Sequence, residues 1–203
     1  MTLHLTTFEG EPHGISALSD FRIQQLLPRL QAINDKLVGI SARFVHLVAT
    51  EAPPSSELKA RLTALLSYGE PAAATGGDGL LFIVSPRFGT VSPWASKATD
   101  IAHNCALAVK RIERITEFRV SLNTGFFDKG GLSDTQRGQV AALLHDRMLE
   151  SVMNDRAQAA GLFTELQAAA LQTIDVLAGG RAALEAANSE FGLALAADEI
   201  DYL

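Results

Sequence analysis

A single cysteine, Cys105, excludes an internal disulfide and points to a reducing compartment. The start of the chain, MTLHLTTFEGEPHG, lacks the basic flank and apolar block of a secretory leader, so the expected location is cytoplasmic. No apolar run approaches the ~20 residues of a membrane span, and no membrane partner is expected. Positive charge is scarce as well: 17 Lys and Arg stand against 23 Asp and Glu, a net charge of −6. Neutralising phosphates needs a basic excess, so nucleic acid is not expected as a partner either. Aromatic residues make up only 6%, with one tryptophan, Trp94. What remains is a globular composition, 47% hydrophobic and 20% charged, long enough for a proper core.

The apolar spacing predicts an α+β fold. From Ser19, the residues Ile23, Leu26, Leu27, Leu30 and Ile33 share one helical face, which Pro28 should kink or split. Residues 38–49 alternate as a strand, with Ile40, Ala42, Phe44, His46 and Val48 on one side. Ser55 or Ser56 caps a second helix carrying Leu58, Leu62, Leu65 and Leu66, closed by Gly69 and Pro71. Leu80–Val84 is a buried strand, 93–108 a helix and 111–122 a strand. Ser133 and Gln136 form a capping box for a helix whose face holds Val140, Leu143, Leu144 and Met148. Helix–strand–helix thus occurs twice, at a period of about 77 residues, which suggests two half-domains meeting sheet to sheet or edge to edge. An α+β domain is expected over 1–154 and a helical segment over 155–203, where alanine is dense. In that segment Leu184, Asn188, Phe191 and Leu195 line one side, and the ending ADEIDYL reads as a cut within a longer chain.

Candidate chemistry is sparse. The run Thr75-Gly-Gly-Asp-Gly79 precedes a strand, the wrong order for a phosphate cradle. Cys105 and His103, two apart on a helix, cannot share a proton, and a base such as His46 or His145 has no support. Cys105 therefore reads as a small buried core residue. Asp100 and His103 share a face but lack the further ligands that zinc requires. No catalytic, cofactor or metal residues are assigned. The loop SPRFGTVSPWASK is the exception: Arg87, Thr90, Ser92, Trp94 and Lys97 bracket a helix start. Ser92 and Pro93 are explained by capping. Arg87, Trp94 and Lys97 are left as an ordinary surface or as a docking or anion contact.

The segment SPRFGTVSPWASKATDIAHNCAL resembles the large, single-chain phosphoribosylformylglycinamidine synthase family. FRIQQLLPRLQA, LLHDRMLESV and GRAALEAANSEFGLALAADEIDYL are similar to the same family, in the same order. Three positions depart from it: Pro28 inside the first helix, Phe88 where proline is common, and Ala106 where glycine is common. The resemblance implies an N-terminal region similar to a dimer of the small stand-alone subunit, then the start of a helical linker domain from about residue 170. It implies that the synthetase core and glutaminase domain of a longer chain are its partners, and that ATP and Mg serve that longer enzyme with none held here. The implied reaction makes formylglycinamidine ribonucleotide from formylglycinamide ribonucleotide, glutamine and ATP. Scaffolding is the role implied for this segment, and self-association is expected of it in isolation. The other reading is a free-standing interaction subunit that joins a separate synthetase chain.

Overall fold

Leu37–Thr50 (β3) and Arg111–Leu122 (β5) lie antiparallel and in register from Gly39/Ser121 to Ala49/Arg111, at the centre of one sheet. The computed structural model describes residues 3–10, 14–72, 79–123, 131–164 and 167–203, in two compact units, Met1–Glu165 and Leu166–Leu203. In the first unit, His4–Phe8 (β1) pairs with β3, and Leu80–Pro86 (β4) pairs with β5. Glu150–Met153 (β6) extends the far edge, and the two-residue Ile15–Ser16 (β2) also pairs with β3. Among the described residues the order is β1-β3-β5-β4-β6. The helices are Asp20–Ile33 (α1), Ser56–Leu65 (α2), Pro93–Asn104 (α3) and Asp134–Leu144 (α4). β1-α1-β3-α2 is therefore followed by β4-α3-β5-α4, and the two halves share one continuous sheet about the β3/β5 pair.

Strand parity decides which residues meet which layer. Even-numbered Ile40 and Ala42 join Phe118 and Val120 beneath Leu26 and Leu30 of α1 and Val140 and Leu144 of α4. Further along the same face, Val48 and Ile112 pack with Leu62 of α2 and Ala102 of α3. Odd-numbered Val45, Leu47 and Ala49 face the other way, onto a 3₁₀ helix at Arg156–Phe163 that buries Ala159, Leu162 and Phe163. Each large core side chain so enclosed contributes roughly 1.5–3 kcal/mol of transfer free energy.

Several expectations need correcting. Pro28 does not split α1, which runs unbroken through it. It sits on the exposed face, where water can satisfy the carbonyl it leaves free, while Leu26 and Leu30 anchor the helix on either side. α3 stops at Asn104, short of 108. Cys105 is its cap and is exposed, because Ala106 turns left-handed at φ 53° and passes the core positions to Leu107 and Val109. Met148 lies beyond the end of α4, in a turn, and is 75% exposed. β1 and β6 carry no expectation from the sequence. The Gly-rich run, apart from Gly79, lies outside the described residues.

In the second unit, Val176–Phe191 (α5) is capped by Asp175, broken by Gly180 at φ 54° and closed by left-handed Gly192. Asn188 bonds both the N–H and the carbonyl of Leu195, which leads into Ala197–Tyr202 (α6). Leu184, Ala187 and Ile200 are buried there, whereas Phe191 is 41% exposed and does not join that face.

Candidate functional site

Pro86 leaves β4 and the chain reaches α3 through a loop held at each step. Arg87 N–H donates to the Leu149 carbonyl at 3.0 Å. Thr90 Oγ1 donates to the Arg87 carbonyl at 2.6 Å, across Gly89 at φ 79°, a turn that suits glycine. Arg111 Nη2 donates to the Thr90 carbonyl at 3.0 Å. Ser92 Oγ accepts from Ala95 N–H at 3.0 Å, with Pro93 at the first helical position. The Phe88 ring rests on Gly161 of the 3₁₀ helix, where a Cβ would come within 3.0 Å of it.

Under this loop lies a cavity of about 470 Å³. Arg87, Thr90, Ser92 and Trp94 line it together, as their spacing in the sequence suggested; exposed Lys97 does not. The far wall comes from β5, through Arg114 and Thr116, and from the turn at Met148, Leu149 and Glu150. The sequence reading missed these. Arg114 had one legible signal, since it is a charge on the inward parity of β5 between Ile112 and Phe118.

Arg114 is held in an aromatic clamp. Its guanidinium lies 3.9 Å from the centroid of Phe44 and 4.5 Å from that of Trp94. Nη1 donates to Tyr68 Oη at 3.2 Å, and Tyr68 Oη is 2.8 Å from Nε2 of His46. His46 is 1% exposed and lies 5.4 Å from the Trp94 ring. Burial first, then the Arg114 charge, lowers its pKa to about 4, so the ring is neutral at pH 7. Parity explains the placement. Phe44 and His46 fall between the α1/α4 and α2/α3 packing zones, where the even face of the sheet is left for polar contacts.

The other singled-out residues are occupied elsewhere. His103 Nε2 meets the Val109 carbonyl at 2.8 Å and His145 Nδ1 the Ala141 carbonyl at 2.6 Å. Among the described residues, no group of three or more His, Cys, Asp and Glu could hold a metal ion. No helix among them is long and apolar enough to cross a membrane. Residues 43–163, well over half of the chain, match the family model described as formylglycinamide ribonucleotide amidotransferase N-terminal. The matched span contains the whole cavity.

Proposed function

The chain belongs to the formylglycinamide ribonucleotide amidotransferase N-terminal family, and from that premise we propose that it is the docking region of such an enzyme. The family ties it to amidotransferase chemistry in purine biosynthesis. In this reading the chain packs on the synthetase core and glutaminase regions, helps shape the substrate cleft or ammonia path, and relays between them. Formylglycinamide ribonucleotide, glutamine and ATP react on those regions, and Mg acts there with the nucleotide.

One observation supports the docking role above others. Met148, Leu149 and Val91 stand 75%, 69% and 54% exposed at the mouth of the cavity, and all three line it. Large apolar side chains gathered at one rim are a surface suited to a partner, and a covered rim lowers their cost in water. The same rim would favour self-association of the chain in isolation. A separate synthetase chain would meet this surface as readily as a region of the same polypeptide.

The test expresses this chain and the remainder of the enzyme as two polypeptides and measures their association and joint turnover. A Met148→Asp, Leu149→Asp variant, altered only at exposed positions, should keep its circular dichroism and lose association by tenfold or more. Association and turnover equal to wild type would sink the docking reading at this rim.

A further inference from the structure

We propose that the cavity beneath the β4–α3 loop binds the oxyanion group, phosphate or carboxylate, of a small molecule. It rests on the reading of this loop as a working surface, and names what its interior takes.

The cavity has more cationic donors than acceptors to receive them. Neither Arg87 nor Arg114 has a carboxylate within ion-pair distance among the described residues. Arg87 uses its backbone in the loop and leaves its side chain exposed. Arg114 donates one N–H to Tyr68 and has four others, since guanidinium carries five. Thr116, beside it on the same strand face, has a hydroxyl with no partner among the described residues. The one lining carboxylate, Glu150, accepts the Asp146 N–H through Oε2 at 2.8 Å. His46 is neutral and adds no charge of its own.

Arg114 is also preorganised. The clamp of Phe44 and Trp94 fixes the guanidinium plane, so a ligand does not have to immobilise a free side chain. A half-buried guanidinium without a counter-ion is costly, and an arriving oxyanion relieves that cost with charge-assisted hydrogen bonds. The volume of about 470 Å³ exceeds a bare phosphate, and Val84, Pro86, Pro93 and the Trp94 ring supply apolar walls for a small organic body.

Trp94 is the only tryptophan, so its fluorescence reports on this cavity alone. The 203-residue chain is titrated with phenyl phosphate and, separately, with benzoate, at constant ionic strength against KCl. A saturable change with phenyl phosphate identifies a phosphate site, and one with benzoate a carboxylate site. Arg87→Glu, at an exposed position, should weaken binding by tenfold or more, and Arg114→Gln should weaken it similarly. A response no different from KCl, or full-strength binding by Arg87→Glu, would overturn the proposal. The titration needs no partner chain, so its failure leaves the Met148 and Leu149 association test to decide docking separately.

Discussion

Arg156 Nε donates to Glu117 Oε1 at 2.8 Å and ties the 3₁₀ helix to the middle of the central strand pair. Glu117 is 2% exposed and also binds Arg43, its partner across the ladder, at 2.9 Å. Glu9 bridges the two arginines, 2.9 Å from Arg43 and 2.5 Å from Arg156. Two carboxylates and two guanidiniums thus alternate in one cluster on the odd face of the sheet. Burial pushes Glu9 up, but the hydrogen bonds and charges of Arg156 and Arg43 outweigh it and hold it below the usual carboxylate range. Removing Glu117 takes away the buried carboxylate and leaves two cations sharing Glu9 alone, whereas removing Arg156 leaves Glu117 paired with Arg43. Glu117→Ala should therefore cost about 3–5 kcal/mol and Arg156→Met about 1–3 kcal/mol, read by urea unfolding.

His46 sets an acid limb. Its pKa is about 4 in the fold against 6.5 unfolded, so the unfolded chain binds the proton more readily. The stability it contributes is complete above pH 6.5 and is lost as pH falls from 6.5 through 4, up to about 3 kcal/mol. His46→Gln should flatten that window in pH-dependent urea melts. A wild-type slope in the variant would contradict the assignment.

Glu113 acts with the opposite sign. It is fully buried, Oε1 pairs with Arg111, and Oε2 has no partner among the described residues. Burial raises its pKa, and the Arg111 hydrogen bond and charge offset this only in part. The folded state therefore favours the protonated acid. Its contribution is fully present below pH 4.5 and is lost as pH rises from 4.5 through the raised value. Glu113→Gln removes that decline, so the stability gap between variant and wild type should shift in the variant's favour across the window.

Ala106 occupies φ 53°, a left-handed conformation that costs a residue with a Cβ about 1–2 kcal/mol. Ala106→Gly relieves that strain but gives the unfolded chain more freedom. The net expectation is a gain of up to about 1 kcal/mol, seen as a higher urea midpoint with an unchanged slope. Glycine is the residue a left-handed turn prefers.

Phe88 and Gly161 fit as a pair. Gly161→Ala places a methyl within 3.0 Å of the Phe88 ring and should loosen the loop against the 3₁₀ helix by about 1–3 kcal/mol. Phe88→Ala in the same chain should recover most of that loss. A double-mutant cycle with no coupling would show that the two residues do not bear on each other.

Much of the fold was legible because its signals are local. Ser19, Ser55, Ser92 and Ser133 each cap a helix through their own hydroxyl, three residues from the N–H they accept. The strand at 38–49 showed its two faces through period-two alternation alone. Errors arose where a helix ended without a strong local stop. Cys105 reads as core because a lone cysteine behaves as a small hydrophobe, and Met148 because it continues the apolar spacing past Leu144, yet α3 and α4 stop before either residue. The short edge strands β1 and β6 lacked a signal because their register depends on β3 and β4, far away in the chain.

The candidate site divides along the same line. Arg87, Thr90, Ser92 and Trp94 are within eight residues of one another, and their type and spacing were enough to mark the loop. Arg114, Thr116 and Met148 reach the same cavity only because β4 pairs with β5 and the 146–149 turn folds back onto Arg87. Sequence alone determined where the capped helices begin, which strand faces turn inward, and where one loop holds cations beside a helix start, since each of these depends on neighbours within a few positions. Tertiary structure decided the strand order, the Arg43–Glu117–Arg156–Glu9 cluster and the enclosure of Arg114 between Phe44 and Trp94. Those depend on which distant segments hydrogen-bond side by side, and a one-residue change of register would turn the strand residues Arg43, Phe44, Arg114 and Glu117 to the opposite face.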